Sequence, residues 1–329
     1  MVSGTAVTPA SALPPTRPAP RGTSAVQVDL DSLIALRLAA RSLVLAASRK
    51  VATSQAGIKT SRFRGRGVDY VESRGYQPGD DIRSMDWRVT ARSGKPHTKV
   101  FQEERERSVL LVVDHSPSMH FGTRVCFKSV QAARAAALIA WSAIRGGDRV
   151  GALGFGSGVT GEVRPAGGPR GVLHCLRALA DWDLLARADR AAAPAPLSQA
   201  LERTRRLARP GCLVLLLSDG FSSDAAAEAP LARLATHGEV RLVLLTDALE
   251  MQAPPRGRYA VEVGGQRRWL EFGGRTDARW TDAFRERREL LLQQTRRLGI
   301  GTLTLDTRDD LTRSLASLGL ALATRRNAG

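Results

Sequence analysis

The chain has 329 residues, of which 43% are hydrophobic, enough for two domains or for one large decorated domain with a sizeable core. Its 49 Lys and Arg residues against 32 Asp and Glu residues give a net charge of +17, spread along the chain without an RNA-binding signature of interleaved aromatics. A solvated Arg-rich surface is therefore favoured over a nucleic-acid partner.

The N-terminal residues 1–28 are rich in Pro, Ala and Ser, and we expect them to form a disordered arm. They lack the apolar core of a signal peptide. The apolar segment that follows carries Arg37 and Arg41 and is too short to be read as a membrane span. Three unclustered cysteines fit free, buried thiols in a reducing cytosol. We therefore expect a cytoplasmic protein with no membrane span.

The region 29–105 is predicted to hold one helix followed by a small β-rich element. Asp29 or Asp31 can cap a helix over 29–50, in which leucines and a valine recur at helical spacing. From residue 51 that period disappears. Turn sequences such as "QPGDD" and "RSGKP" then separate short strand-like pieces.

Residues 106–329 alternate strands with helices. The strands read, in order, "SVLLVVD", "DRVGALGF", "GVTGEVRP", "CLVLLLSD", "EVRLVLLTD" and "GTLTLD". Helical patterns lie between them, with a hairpin-like insertion after the fifth strand, a helix over 281–298 and a last helix "DDLTRSLASLGLALA". The tight "GSG" link predicts that the third strand forms an antiparallel edge hairpin. Continuous apolar strands between helices predict an α/β fold, with a mostly parallel sheet covered on both faces.

Three of these strands end in a carboxylate: Asp114, Asp219 and Asp247. Ligands of an open α/β sheet bind beyond the carboxyl ends of the strands, at the point where strand order reverses. For the strand order 3-2-1-4-5-6, that point lies between the first and fourth strands. The order would therefore bring Asp114 and Asp219 together in one crevice.

The sequence "DHSPS" adds two hydroxyl oxygens, Ser116 and Ser118, to the carboxylate of Asp114. Hard oxygen ligands of this kind suit Mg²⁺ or Mn²⁺, although Asp and Ser also cap ordinary turns. Other chemistry is less well supported. Ser116 stands where an aspartyl-phosphate phosphatase needs a second Asp, there is no phosphate loop, and His115 and His120 have no ligand spacing.

Together, "DHSPSM" and "LLSDG" resemble the metal-ion-dependent adhesion site of von Willebrand factor A domains. The stretches "YQPGDDIRSMDWRVTAR" and "FQEERE" before them resemble a bacterial family, the domain of unknown function 58, over residues 56–250. The resemblance implies a von Willebrand A-like, Rossmann-like sheet preceded by a β-rich element. It also implies a partner, because the genes of this family often neighbour MoxR-type AAA+ ATPases.

Carried over residue by residue, the adhesion-site motif matches Asp114, Ser116 and Ser118 in its first part and Asp219 in its last. The Thr of its middle part falls at Ala195, and Ser198 comes three residues late. The resemblance therefore implies a Mg²⁺ or Mn²⁺ site that is incomplete at one ligand.

The family signature carries a charged cluster with one tryptophan. Its carboxylates follow a Pro-Gly turn, where they can accept backbone N–H bonds, and its arginines offer them bidentate partners. Two interpretations stay open: a cluster that locks the small unit onto the large one, or a recognition surface. The residues are Arg74, Asp80, Asp81, Arg83, Asp86, Trp87 and Arg92.

The favoured hypothesis is a non-enzymatic protein-interaction module, assisted by a divalent cation and working with a MoxR-type AAA+ ATPase in a chaperone-like assembly. One alternative is a metal-dependent hydrolase that uses the same carboxylates, which is disfavoured because no activated nucleophile or general base is evident. The other is a basic nucleic-acid-binding protein.

Overall fold

The computed structural model describes residues 24–45, 68–77, 82, 85–103, 106–188, 195–263, 266–316 and 320–322. The chain divides into two compact units. One is 48–106, and the other combines 1–47 with 107–329. The segment that precedes the β-rich element therefore belongs with the larger unit, whereas the sequence grouped it with the smaller one.

Helix α1 (Leu30–Ala35) begins after Asp29, whose carboxylate accepts the Ser32 N–H at 2.8 Å. The predicted helix over 29–50 is wrong between α1 and residue 45, because strand β1 (Leu43–Leu45) follows a short 3-10 turn, and its residues 46–50 lie outside the described part. Tertiary contacts override the helical period here: the Arg145 guanidinium donates to the carbonyl of Ala40 at 2.8 Å. Of the predicted arm, residues 1–23 lie outside the described part, but Val28 is buried.

The smaller unit contains an antiparallel pair, β2 (Val68–Gly75) and β3 (His97–Glu103), with an irregularity between Tyr70 and Glu72. This pair confirms the β-rich prediction. Helix α2 (Trp87–Ser93) was not foreseen. It ends at Gly94, whose φ of 69° is the left-handed conformation that the predicted "RSGKP" turn requires.

The larger unit holds the remaining elements. Its further strands are β4 (Ser108–Asp114), β5 (Arg149–Phe155), β6 (Glu162–Ala166), β7 (Leu213–Ser218), β8 (Glu239–Thr246), β9 (Gly257–Val263), β10 (Gln266–Phe272), β11 (Gly301–Asp306) and β12 (Leu320–Leu322). Its further helices are α3 (Lys128–Arg145), α4 (Gly168–Ala188), α5 (Leu197–Leu207), α6 (Glu228–His237), α7 (Ala248–Met251), α8 (Arg275–Arg297) and α9 (Leu311–Ala316).

Six strands form one sheet in the order β11-β8-β7-β4-β5-β6. All neighbours are parallel except β5 and β6, so the predicted edge hairpin is confirmed. Numbered along the chain, this is the 3-2-1-4-5-6 order on which the expected meeting of Asp114 and Asp219 depended, with its reversal between β4 and β7. The sheet therefore places the ends of those two strands side by side.

Both faces of the sheet are covered, as the apolar strands predict. Leu111 and Val113 of β4 point into a core beneath α3 and α4, whereas Leu110 and Val112 point into a second core beneath α5 and α6. Helix α3 is rich in alanine and almost wholly buried, which lets it lie close against the sheet. The central strand that delivers Asp114 is thus fixed on both sides.

The C-terminal part departs from the prediction. The hairpin-like insertion is the antiparallel pair β9 and β10, as expected, and α8 starts at Arg275, six residues before the predicted helix. The predicted last helix is present only as α9, and β12 then pairs antiparallel with β1. Among the described residues, no helix combines the length and the apolar character needed to cross a bilayer.

Candidate functional site

The loop after β4 holds the first predicted ligand set. Asp114 is fully buried, and the Ser116 N–H donates to its Oδ1 at 2.8 Å. Residues Pro117–Met119 then form a 3-10 turn. Within the described part of the chain, the buried hydroxyl oxygens of Ser116 and Ser118 have no hydrogen-bond partner. Two buried oxygens without partners beside a carboxylate are the feature that an ordinary turn does not explain.

A second loop, after β7, closes on the same carboxylate. The hydroxyls of Ser218 and Ser222 donate to Asp114 Oδ2 at 2.7 and 2.6 Å. Burial and the nearby charge of Asp219 raise the pKa of Asp114, although the three hydrogen bonds oppose this shift. Neither serine was predicted from the sequence, although both belong to the stretch "LLSDGFSS" at the end of the neighbouring strand.

Asp219 forms an ion pair with a lysine that the sequence did not predict. Lys128, at the start of α3, is fully buried, and its Nζ lies 2.8 Å from Asp219 Oδ2 and also donates to Glu250. Burial would lower the pKa of Lys128, but the charges of Asp219 and Glu250 outweigh it and raise that pKa. The rings of Phe121 and Phe221 flank the ammonium at 5.9 and 5.0 Å.

A further basic group completes this buried cluster. Arg288 of α8 is 7% exposed, and burial lowers its pKa, whereas the charges of Glu250 and Asp219 act in the opposite direction. Its Nη1 has no hydrogen-bond partner among the described residues. The carboxylate of Asp219 is therefore balanced within the protein, whereas the hydrogen bonds to Asp114 from the described residues come from two hydroxyls and one backbone N–H.

The third strand-end carboxylate has a structural role. Asp247 accepts hydrogen bonds from the Thr123 N–H at 3.0 Å, from the Thr123 hydroxyl at 2.6 Å and from the Thr307 hydroxyl at 2.7 Å. It also caps α7 through the Leu249 N–H. Burial would raise the pKa of Asp247, but these hydrogen bonds lower it. Asp247 thus ties three loops together at the sheet edge.

The middle part of the adhesion-site motif lies at the start of α5. Ala195 has no oxygen in its side chain, and the backbone N–H of Ser198 donates to the Asp224 carboxylate at 3.0 Å. The adjacent Leu197 N–H donates to the carbonyl of Ser222, at 3.0 Å. This segment therefore supports the second loop through its backbone.

The two histidines of the first loop contact residues of helix α4. His115 is buried, its ring nitrogens lack partners among the described residues, and burial lowers its pKa to about 4. Its ring packs edge-on against Trp182, with centroids 6.1 Å apart. His120 Nε2 lies 3.2 Å from Asp183 Oδ1, and Asp183 Oδ2 accepts the Val28 N–H.

The family-signature residues lie in the smaller unit. Asp86 caps α2 by accepting the Arg88 and Val89 N–H groups, and it also accepts the hydroxyl of Ser73 at 2.7 Å. Trp87 is 65% exposed at the start of the helix. Arg74 and Arg92 are also exposed. Asp80, Asp81 and Arg83 lie outside the described residues.

The donor chemistry of the larger unit fits a hard cation held by few protein ligands. No cluster of three or more His, Cys, Asp or Glu side chains suited to a metal occurs in the described part of the chain. The candidate set instead combines one carboxylate with two orphaned hydroxyl oxygens, an oxygen-only set of the kind that Mg²⁺ accepts together with several waters. These residues thus fit the cation that the adhesion-site resemblance implies.

Comparison with known proteins identifies relatives. Residues 72–290 match the family model "Protein of unknown function DUF58". Uncharacterized proteins of Mycobacterium bovis and Mycobacterium tuberculosis are 34% identical over 228 residues, which are 69% of this chain and 70% of each relative.

Two solved structures are more distant. An aerotolerance-related membrane protein from Bacteroides fragilis is 14% identical, with a TM-score of 0.42 over 65% of this chain and 98% of its own. The SpRpn10 VWA domain is 8% identical, with a TM-score of 0.32 over 67% of this chain and 100% of its own. The strand order and the crossovers themselves show the von Willebrand A-like α/β fold.

Proposed function

The chain belongs to the DUF58 family of proteins of unknown function, and from this premise we propose that its von Willebrand A-like domain is a cation-assisted protein-interaction module. The observation that carries the proposal is the pair of buried hydroxyl oxygens of Ser116 and Ser118, which lack partners in the described structure and lie on the loop that follows the buried Asp114. They lie where the strand order reverses, which is the ligand-binding edge of such sheets.

Asp114, Ser116 and Ser118 would hold Mg²⁺ or Mn²⁺, with Asp219 contributing through water. A bound cation supplies an open coordination position that a partner's carboxylate can fill. Because Ala195 provides no hydroxyl, a water would take the place of that ligand. Lys128 beside Asp219 adds a positive charge close to the site, which would lower its affinity for a cation.

An interaction role is favoured over hydrolysis by the surroundings of these groups. Asp114 accepts three hydrogen bonds, and neither Ser116 nor Ser118 donates to a base among the described residues. A serine nucleophile needs an adjacent base to take its proton, so these two hydroxyls are not activated in the described structure. The hydrolase alternative has no comparable observation in its favour.

The partner class is proposed from the family resemblance, in which MoxR-type AAA+ ATPases occur beside these genes. The exposed Trp87 of the smaller unit supports a second contact with a protein, because aromatic side chains are enriched at interfaces. An acidic side chain of the ATPase would be the group that reaches the cation.

Isothermal titration and thermal unfolding with Mg²⁺, Mn²⁺ or EDTA test the cation site. At a metal concentration of about 100 times Kd, binding should stabilise the fold by about 2.7 kcal/mol, which raises Tm by several degrees. Ser116→Ala with Ser118→Ala should abolish the rise without harming the apo fold, because these hydroxyls make no hydrogen bond in the described structure.

Ser129→Ala is the matched control, since this buried hydroxyl also lacks a partner but lies on α3. It should leave the metal effect intact. A wild-type protein that shows no metal-dependent heat and no change in Tm would refute the cation-assisted module. Asp114→Ala serves as a second variant, with circular dichroism to confirm that it folds.

A further inference from the structure

A pocket ringed by arginines lies at the amino edge of the central sheet, away from the candidate cation site. It has a volume of about 480 Å³, and none of the described residues that line it is acidic. The β4 strand separates this edge from Asp114 by about 20 Å, at about 3.3 Å per residue. The lining residues are Ser108, Arg149, Arg164, Pro165, Arg206, Leu207 and Arg209.

Four different elements bring these arginines together. Arg149 begins β5, and its Nη2 donates to the carbonyl of Pro165 at 3.3 Å, across the β5–β6 pair. Arg164 lies on β6, Arg206 in the last turn of α5, and Arg209 in the loop before β7. All four side chains are exposed. Strands and a helix end therefore hold a concentrated positive charge around one concavity.

Two carboxylates at the same edge pair with an arginine outside the pocket. Asp148 and Glu239 are engaged by Arg107, at 3.3 and 3.8 Å. Arg164 and Arg206 have no ion-pair partner among the described residues. A basic residue is favourable at a helix C-terminus, where Arg206 lies, and charged residues are common on edge strands such as the one that carries Arg164. Neither effect explains why four arginines line one pocket.

The geometry points to a binding site for a small molecule that carries two or more phosphate groups. Guanidinium forks match phosphate oxygens in bidentate pairs, and several of them around one pocket suit a ligand with several negative charges. The volume lies in the range of small-molecule sites. A nucleotide and an inorganic polyphosphate share this chemistry. The four arginines of the pocket also account for part of the net charge of +17.

Isothermal titration of the full chain in EDTA with inorganic triphosphate, with ADP and with a short DNA duplex tests the site. EDTA keeps the result independent of the cation site. We expect the small phosphates to bind at about 50 mM salt and more weakly at about 200 mM. Arg164→Gln with Arg206→Gln should weaken binding about 100-fold, since each lost charge-assisted pair costs about tenfold or more.

The charge-matched control is Arg285→Gln with Arg296→Gln, two exposed arginines of α8 that pair with Asp282 and Glu289. It should bind as the wild type does. Binding of both small ligands would indicate recognition of the phosphates alone, and binding of ADP only would add the nucleoside. The proposal is overturned if neither ligand binds, if the control loses as much affinity, or if only the DNA duplex binds.

Discussion

The buried Lys128 is the feature whose removal has the most definite consequence. Its ammonium lies within hydrogen-bond distance of Asp219 and Glu250, and all three side chains are at most 2% exposed. Lys128→Met keeps the length and apolar stem of the side chain but leaves two carboxylates in a buried environment with only the partly desolvated Arg288 nearby. Removing one partner of a buried ion pair costs about 3–5 kcal/mol. We expect Lys128→Met to lower the free energy of unfolding by this amount near pH 7.5.

The loss of stability caused by Lys128→Met should depend on pH. Burial already raises the pKa of Glu250, which Lys128 holds down, so the substitution should raise it further. A carboxyl group whose pKa is higher in the folded state than in the unfolded state lowers the free energy of unfolding as pH rises. The deficit of Lys128→Met should therefore shrink towards pH 5 and grow towards pH 8. In the wild type, the raised pKa of Lys128 stabilises the fold at neutral pH, and that stabilisation is lost only as pH rises through the folded-state pKa.

Urea unfolding of both proteins between pH 5 and pH 8 measures this directly. Arg285→Met, which removes an exposed arginine 2.7 Å from Asp282, is the control and should cost less than about 1 kcal/mol. Adding Asp219→Asn and Glu250→Gln to Lys128→Met should restore part of the stability, because the two buried carboxylates are then neutral, but not all of it, because Arg288 loses the two charges that favour its cation. A deficit below about 1 kcal/mol, or one that does not change with pH, would refute the buried ion cluster.

Two further substitutions probe the loops around Asp114. Ser222→Ala removes a 2.6 Å hydrogen bond to a buried carboxylate and should cost about 1–3 kcal/mol in urea unfolding, whereas an effect near zero would contradict the contact. Gly156→Ala would place a Cβ 2.4 Å from the Ser116 nitrogen at a φ of 110°, so it should destabilise the fold by about 2 kcal/mol or more and weaken metal binding. Unchanged unfolding and unchanged metal affinity would show that the first loop does not pack against Gly156.

The sheet was predictable because its signals are local and strong. Six apolar runs, each followed by a helical pattern or a tight glycine link, specify the strands, and the strand order assumed for such a sheet brings Asp114 and Asp219 to one edge. The predicted helix over 29–50 and the last predicted helix failed for a common reason. The apolar residues of both segments fit a helical period as well as a strand period. The pairing of β1 with β12 selects the strand.

The buried charge cluster was not predictable from local sequence. Lys128 opens an alanine-rich helix, where a lysine is ordinarily solvated, and its partners Asp219 and Glu250 lie 91 and 122 residues away. Ser218 and Ser222 were missed because serine is common in turns, and only the closure of the second loop onto Asp114 distinguishes them. The side chains that surround the candidate site are therefore tertiary features, whereas the predicted ligands of the first loop are close together in the sequence.

Interferometry between the purified chain and a purified MoxR-type AAA+ ATPase from the same organism tests the central claim most directly. The measurement is made in Mg²⁺ and in EDTA, with the wild type and with Ser116→Ala/Ser118→Ala. A cation-assisted interaction module predicts binding in Mg²⁺ that is lost both in EDTA and in the double variant. Failure to bind in Mg²⁺, or binding that neither EDTA nor the double variant changes, would contradict it.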